Sequence, residues 1–329
     1  MKNKTVIDKE HPALIHKRKQ YIEVPLPMKC GTLRRLWQAL VGILLLPCYL
    51  ITAWIMRSPG VTLHFKFAFL AVRLFFFRRI SLRTCYSLIC SPMDSTRYFE
   101  FHEVLQSFAH VPFCRYLDVS SPRLVPLMLL MQNKAAIADM INPDSRDIQE
   151  TERLADALGL TDRCRFTKST IEMAEFAPGT FDLITCISVL EHIPSDGEAV
   201  NMMWSLLRPG GRLVLSLPCM AHPLEQYISW NDYGVLSPGA DGYTFWQRYY
   251  DEERLRDVIF NITGAPVRKA VYGERSLGLF YRNASMKRLL GPLYPFWRES
   301  YMMATEYRYF ETIEELPGEG VVMLEFVKP

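Results

Sequence analysis

Short apolar runs alternate with amphipathic stretches between residues 114 and 218, and this alternation constrains the fold more than any other feature. Strands are predicted at CRYLDV (114–119), AAIAD (135–139), CRFTK (164–168), FDLITCIS (181–188) and RLVLSLP (212–218). Strands separated by helices at this spacing form a parallel sheet that is covered on both faces. The sequence therefore predicts an α/β fold.

Capping residues and periodicity predict the helices around these strands. They are an amphipathic helix at 94–110, an apolar helix near 126–131, a helix at about 148–158 with an Asp147–Glu150 capping box and Gly159 as its stop, and a helix after Ser195 with Glu198 as its capping partner. The last apolar run, VVMLEFV (321–327), follows turn residues at 317–320, which allow it to pair antiparallel with the sheet.

A second constraint is the uncharged segment Leu36–Met56, which has 21 residues. As a helix it would be about 31 Å long, close to the roughly 30 Å hydrocarbon core of a bilayer. Residues 61–77 are also apolar but carry Lys66 and Arg73 on one helical face, which favours an interfacial helix or the second arm of a re-entrant hairpin. We favour the hairpin, since basic residues lie on both sides of the first segment.

Charge is divided unevenly along the chain. Residues 1–80 carry 14 Lys and Arg against three acids, whereas the remainder carries 24 against 32. A basic apolar head on an acidic body favours an anionic membrane surface and argues against nucleic acid as a partner. The eight cysteines are scattered without a CxxC pair, which indicates reduced thiols on a cytoplasmic face and no metal site.

We expect four parts: a basic arm at 1–35, a membrane-associated helix or helical hairpin at 36–80, a linker with an amphipathic helix at 81–110, and an α/β domain at 111–329. In such a domain, ligands bind beyond the carboxyl ends of the strands. Those ends are predicted at 118–121, 139, 168–170, 187–192 and 217–222. Asp139 lies 21 residues after Asp118, a spacing typical of a carboxylate that binds a ribose. A solvated turn residue is the alternative.

Three segments, taken together, are a more specific indication of function than these single residues. The runs FDLI (181–184), LEHIP (190–194) and LLRPGGRLVL (206–215) resemble the class I S-adenosylmethionine-dependent methyltransferases, closest to the small-molecule branch called type 11. The resemblance covers roughly residues 111–218. It implies a Rossmann-like seven-stranded methyltransferase sheet with an antiparallel last strand. It also implies S-adenosylmethionine as the cofactor, bound near Asp118, Asp139, Ile187 and Ser188.

The chain departs from this family at two cofactor contacts. The family's first loop is typically Asp-x-Gly-x-Gly-x-Gly, whereas residues 118–124 read DVSSPRL, without glycine. Hydroxyls of Ser120 and Ser121 can replace some backbone contacts, and Arg123 can offer a charge-assisted one. Where the family usually has an acid near the adenine, this chain has Ser169 and Thr170.

Methyl transfer requires alignment and, for some acceptors, a base. His192 and His222 follow predicted strands and are the candidate bases, although His192 also fits a structural role and His222 a plain loop. The aromatic stretch 225–250 is expected to line an acceptor pocket or to pack as a lid; its most informative positions are Tyr227, Trp230, Tyr233 and Trp246.

These features together predict a membrane-associated methyltransferase that faces the cytoplasm, with the lipid bilayer as its partner. Its acceptor would be a lipid, a lipid-linked sugar or another small molecule. Two alternatives remain: a non-catalytic scaffold or ligand-binding protein of the same fold on the membrane, and a soluble enzyme whose apolar head is a dimerisation arm. The sequence does not determine the oligomeric state.

Overall fold

A computed structural model describes residues 18–23, 31–108, 111, 113–133, 136–230 and 234–329. Its strands are β1 (Arg18–Ile22), β2 (Arg115–Val119), β3 (Ile137–Ile141), β4 (Cys164–Thr167), β5 (Phe181–Ile187), β6 (Leu207–Cys219), β7 (Leu224–Ile228), β8 (Thr244–Tyr249), β9 (Arg268–Glu274), β10 (Tyr307–Phe310) and β11 (Gly320–Val327). Its α-helices are α1 (Thr32–Ile55), α2 (Val61–Phe76), α3 (Leu82–Cys90), α4 (Arg97–Ser107), α5 (Leu124–Gln132), α6 (Ser145–Leu158), α7 (Asp196–Leu206), α8 (Glu252–Arg254), α9 (Asn261–Thr263), α10 (Leu279–Leu290) and α11 (Glu299–Glu306). A π-helical segment, Leu255–Phe260, joins α8 to α9.

The main sheet has eight strands in the order β10-β9-β11-β6-β5-β2-β3-β4. Strands β2 to β6 are parallel, as the alternation predicts. β11 is antiparallel to β6 and β9, as the turn before it allows. The expected number of seven strands is not confirmed, because β10 pairs with β9 and adds an eighth strand at the edge. We did not predict β9 or β10.

Helices cover both faces of this sheet, and its central strands are buried throughout. All seven residues of β5 are buried. Neighbouring residues on one strand join different cores: Tyr116 packs into the cluster on one face and Leu117 into the cluster on the other. This is the alternation that a strand covered on both faces requires. The buried apolar side chains thus fix which residues of each strand end can face a ligand.

Several local predictions differ from the structure. β6 begins at Leu207, five residues before its predicted start. β3 begins at Ile137 and ends at Ile141, two residues later than predicted at its carboxyl end. Asp144, and not Asp147, caps α6 by accepting a hydrogen bond from the Arg146 backbone N–H, because Asp144 has the extended backbone of an N-cap residue directly before the helix. α7 begins after Ser195 as predicted, but Ser195 makes no capping hydrogen bond.

β1, β7 and β8 form a second, three-stranded sheet. β1 lies within the basic arm, for which we predicted no regular structure; it pairs parallel with β7, whose partner β8 runs antiparallel. Gln226 donates a hydrogen bond to Gln20 at 2.8 Å, and Tyr227 stacks on Tyr21. The aromatic stretch 225–250 therefore supplies two strands of this sheet.

The first four helices pack on one another and on the main sheet. The turn between α1 and α2 ends at Gly60, whose φ is +73° and whose absent Cβ would lie 2.1 Å from the Tyr98 carbonyl oxygen, so glycine is required there. In α2, His64 is buried and contacts the Tyr98 hydroxyl at 2.6 Å and the Ile89 carbonyl at 2.7 Å. These contacts join α2 to α3 and α4.

Candidate active site

A cavity of about 1630 Å³ lies at the carboxyl ends of the parallel strands. Five short segments of the sheet domain line it, and they follow β2, β3, β4 and β5 or belong to the second sheet: residues 119–124, 142–144, 170–173, 188–189 and 244–246. Residues 79–101, around α3 and α4, contribute a further wall. The volume exceeds the 300–1,000 Å³ typical of small-molecule sites, so the cavity has room for two ligands.

The loop after β2 forms without glycine because a serine accepts the backbone strain. Ser120 has a φ of +51°, in the left-handed region that favours glycine. Its backbone N–H and its hydroxyl both donate to the Ile141 carbonyl, at 2.9 and 3.0 Å. Pro122 and Arg123 line the cavity beside it and leave it open.

Arg123 is engaged by acids of α6. Its guanidinium pairs with Asp147 at 2.8 Å and also with Glu150. Asp147 in turn accepts a hydrogen bond at 2.9 Å from the amide of Asn142, the first residue after β3. The arginine expected to contact a cofactor carboxylate is therefore neutralised by its own neighbours, and Asn142 is fixed at the cavity wall.

Asp118 is buried beneath this loop and holds it in place. Its carboxylate accepts hydrogen bonds from the Ser121 backbone N–H at 3.1 Å, the Thr185 hydroxyl at 2.7 Å and the Tyr116 hydroxyl at 3.1 Å. Burial raises the pKa of Asp118 to about 6, and these hydrogen bonds oppose that rise. Ser121 also accepts a hydrogen bond from the Ile187 backbone N–H at 3.2 Å, which joins the loops after β2 and β5.

α4 closes one end of the cavity through Glu100, whose side chain is buried. Glu100 accepts hydrogen bonds from Ser188 at 2.5 Å, from Ser216 at 2.6 Å and from Arg97 at 2.8 Å. The carboxylate thus joins α4 to the carboxyl ends of β5 and β6. Arg97 and Ser188 both line the cavity. Ser188 has a φ of +50°, so a second serine at this edge is held in the left-handed region.

The residues after Ser188 place a buried acid beside a histidine. Glu191 is buried, and desolvation raises its pKa to about 8. His192 lines the cavity, and its Nε2 lies 3.8 Å from Glu191 Oε1. Its Nδ1 lies 2.5 Å from the Trp246 carbonyl oxygen. Since a carbonyl only accepts, Nδ1 carries the proton when the ring is neutral.

Five of the predicted site residues do not line the cavity. Asp118 is buried behind its wall. Asp139 forms ion pairs with Arg115 at 2.9 Å and Arg165 at 4.0 Å. Because β3 continues to Ile141, Asp139 lies within the strand and not at its end. Ser169 donates to the Thr170 carbonyl, Ile187 is fully buried, and His222 is exposed in the turn after β6. Their proposed roles stay predictions.

The structure brings together Ser120, Ser121, Ser188 and His192 from the predicted set, and it adds residues that sequence reasoning missed. Asn142 and Thr170 line the cavity after β3 and β4, and Arg97 does so from α4. The Asn-Pro-Asp turn at 142–144 and the three-residue spacing of Arg97 and Glu100 were the available signals.

The aromatic positions of the second sheet behave differently from one another. Trp246 lines the cavity, whereas Tyr227 and Trp230 do not, and Tyr233 lies outside the described residues. Tyr227 stacks on Tyr21 of β1, and Trp230 lies against Trp246 with ring centroids 6.5 Å apart. This sheet thus supplies one cavity wall and also packs on itself. That the wall binds an acceptor stays a prediction.

Comparisons with known proteins agree with this geometry. A family model described as a methyltransferase domain matches residues 115–258. The ubiquinone biosynthesis O-methyltransferase of Pseudomonas aeruginosa (strain LESB58) is 42% identical over 45 residues, which is 14% of this chain and 19% of the relative. That of Xanthomonas euvesicatoria pv. vesicatoria (strain 85-10) is 43% identical over 49 residues, covering 15% and 20%. The chain therefore spans only about a fifth of the length of these relatives.

Among solved structures, the MccD protein is 12% identical with a TM-score of 0.48, over 73% of this chain and 99% of that one. Geranyl diphosphate methyltransferase in complex with GPP and sinefungin is 14% identical with a TM-score of 0.46, over 71% and 79%. Nothing about the substrate of this chain follows from likenesses at this level.

Proposed function

We infer that residues 115–258, which match a family model described as a methyltransferase domain, form a class I S-adenosylmethionine-dependent methyltransferase. We propose that the chain transfers a methyl group from S-adenosylmethionine to a lipid, a lipid-linked sugar or another small molecule at a membrane. The observation that carries the proposal is the open cavity at the carboxyl ends of β2, β3 and β5, where the first loop leaves room for a ligand.

The residues around this cavity fit the cofactor. Ser120 adopts the left-handed backbone that a glycine would take in this loop, so the chain keeps a turn of the required shape. Asn142, Thr170 and Ser188 line the cavity beside it and offer polar groups for a nucleoside and an amino-acid moiety. We propose Asn142 for the ribose in place of Asp139, because Asn142 lines the cavity and Asp139 does not.

The cofactor supplies an electrophilic methyl group on its sulfonium, and the chain supplies alignment and proton transfer. Walls from α4 and the second sheet flank the strand ends. His192 is the proposed base, since it lines the cavity and its ring is oriented by the Trp246 carbonyl. Glu191 lies beside this ring, and burial raises the pKa of Glu191 to about 8, so this neighbour is neutral below that pH.

Membrane association is proposed from α1. By length and composition this helix is able to cross a membrane, and 22% of its most apolar window is buried. An enzyme held at a membrane meets a lipid acceptor at a raised effective concentration. The absence of CxxC pairs supports a reducing compartment, so we propose that the methyltransferase domain faces the cytoplasm.

One observation favours a non-catalytic scaffold as the second candidate. The first loop has no glycine, and Pro122 removes a backbone donor that the family's loop offers. A domain of this kind would keep the fold and bind a partner or a nucleotide-like ligand without transferring a methyl group.

Incubation of the full chain with methyl-labelled S-adenosylmethionine and a membrane lipid extract separates the two. An enzyme places label in the organic phase, and a scaffold leaves none there. If His192 is the base, His192→Ala should lower the rate by roughly 10²–10⁴-fold. His222→Ala is the matched control, because His222 lies outside the cavity. Equal rates for both variants would remove His192 from the chemistry.

A further inference from the structure

The apolar surface of α1 and α2 that faces away from the protein is large. We call this surface the outer face. Its exposed side chains are Leu33, Leu36, Trp37, Leu40, Ile43, Leu44, Leu45, Ile51, Trp54 and Ile55 on α1, and Phe65, Phe69, Val72, Phe75 and Phe76 on α2. Fifteen large apolar side chains on two adjacent helices far exceed the scattered exposure that is normal for a soluble surface.

The opposite side of α1 packs against the C-terminal part of the chain. Leu46 and Ala53 are buried in a cluster with Trp297 and Ala304. At Gly42 an added Cβ would lie 2.4 Å from the Trp297 ring, so the two elements touch. One side of α1 is thus held by the protein over several turns. This contact favours a helix that lies on a membrane surface over one surrounded by lipid.

The charge around the outer face has one sign. Residues 31–93 contain eight cations and no acid: Arg34, Arg35, Arg57, Lys66, Arg73, Arg78, Arg79 and Arg83. Within the described residues, none of these eight is in an ion pair shorter than 4.0 Å. Exposed cations beside an apolar helical surface are complementary to an anionic bilayer, because they meet the head groups while the apolar side chains enter the acyl region.

The cavity begins where the outer face ends. Phe77 is exposed, and Arg79, two residues later, already lines the cavity. Two residues span at most about 7 Å, so the apolar surface and the cavity entrance are neighbours. Among residues 79–101, the charged side chains that line the cavity are Arg79, Arg83 and Arg97. Glu100 lies in the same segment but is buried and pairs with Arg97. The acids of the lining, such as Asp147 and Glu172, belong to the sheet domain.

We propose that the outer face rests on an anionic bilayer, and that an amphiphile with an anionic head group enters the cavity from this bilayer past Arg79 and Arg83. The first part concerns how the protein binds the membrane. The second part names the acceptor class and rests on the proposed methyltransferase function. The arginines attract the head group, and the adjacent apolar surface lets the acyl chain remain in the bilayer.

Flotation of the full chain with vesicles tests whether the outer face binds an anionic bilayer. The chain is synthesised in a cell-free extract with vesicles of phosphatidylcholine, either alone or mixed with phosphatidylglycerol. We expect much stronger association with the mixed vesicles. The double variant Arg79→Gln/Arg83→Gln should reduce association with mixed vesicles by about 30-fold, since each arginine near an anionic surface contributes about fivefold. The control Lys168→Gln/Arg256→Gln removes two exposed charges outside the cavity lining and should float like the wild type.

A photoactivatable phosphatidylglycerol tests whether an anionic amphiphile enters the cavity. We expect cross-links within residues 79–101 of the wild type and their loss in the Arg79→Gln/Arg83→Gln variant. Equal association with both vesicle types would contradict binding of the outer face to an anionic bilayer. So would a chain that remains unbound as a dimer in which the outer face is protected. Cross-links confined to α1 and α2 would contradict entry of the amphiphile into the cavity. Vesicle association needs no cofactor. A chain that floats normally but binds no S-adenosylmethionine would therefore refute the proposed function, but not the binding of the outer face to the bilayer.

Discussion

The main sheet and the first two helices are both rich in apolar residues, yet they use them in opposite ways. In β5 every side chain is buried, because helices of the same chain cover both faces of the sheet. In α1 only four of 24 residues are buried. The difference teaches that apolar content alone does not distinguish a core from an exposed apolar surface. What distinguishes them is whether the chain itself provides the cover.

The cavity lies at the junction of these two regions. One wall consists of the strand ends, with buried and hydrogen-bonded polar groups such as Asp118. The other wall, residues 79–101, continues directly from the outer face and carries exposed arginines. A site built in this way can hold a soluble cofactor against the sheet and an amphiphilic acceptor against the helices.

The largest effect is expected from two phenylalanines of α2 that lie two positions apart. Phe67 is buried in the core, whereas Phe69 is 73% exposed. Phe67→Ala should lower the free energy of unfolding by about 3–5 kcal/mol, because it leaves a cavity. Phe69→Ala should change that free energy by less than about 0.5 kcal/mol but should weaken vesicle association by about tenfold. Denaturant unfolding and vesicle flotation measure the two quantities.

The comparison between the core and the outer face fails if these two variants have exchanged or equal effects. A Phe69→Ala variant that unfolds as easily as Phe67→Ala would mean that another part of the protein covers the outer face. Unchanged flotation of Phe69→Ala would mean that this residue does not reach the bilayer.

The next effect concerns a charge buried in the sheet domain. Burial raises the pKa of Glu191 to about 8, above its value of 4.5 in the unfolded chain. Between these values the folded protein retains a proton that the unfolded chain loses, so stability should fall as the pH rises, by up to about 1.4 kcal/mol per pH unit. Glu191→Gln should remove this part of the slope and should be most stabilising, relative to wild type, near pH 8.

Thermal unfolding from pH 5 to pH 8 measures this slope. Glu253→Gln, a change at an exposed acid, is the matched control and should leave the slope as it is in the wild type. A Glu191→Gln variant with the wild-type slope would show that Glu191 is already ionised in the folded protein.

The smallest effect distinguishes the strained loop from its neighbour. At Ser120, where φ is +51°, alanine should be about 1 kcal/mol less stable than glycine, because a Cβ is disfavoured there. Both substitutions lose the hydrogen bond from the Ser120 hydroxyl to the Ile141 carbonyl, so the difference between them reports the backbone strain. At Ser121, which lacks a positive φ, the order should reverse. The same order at both positions would contradict the strain.

The sequence predicted the strands well because their apolar runs are short and bounded. β2, β4 and β5 lie within one residue of the predicted ends. β3 ends two residues later than predicted, since Ile141 continues the buried pattern beyond Asp139. β1 was missed because its residues, RKQYI, carry no apolar alternation, and its pairing with β7 joins residues 206 positions apart along the chain. No local pattern reports such a partner.

The site was predicted in part for the same reason. Ser120, Ser121 and Ser188 follow strands whose ends were read correctly, and they lie together. Arg97 and Glu100 were missed because α4 is amphipathic, and its polar side gave no sign that it faces the strand ends instead of solvent. Asp139 received a role that depends on a strand end two residues away from the observed one.

Calorimetric titration of S-adenosylmethionine into the full chain tests the central claim most directly. We predict saturable binding that Asn142→Ala weakens by about tenfold and that Asp139→Ala leaves nearly unchanged, since a lost hydrogen bond to a ligand costs about 1–1.5 kcal/mol. No heat and no thermal shift with the wild-type chain at saturating ligand would contradict the account, because the serine-containing loop would then hold an open cavity without its cofactor.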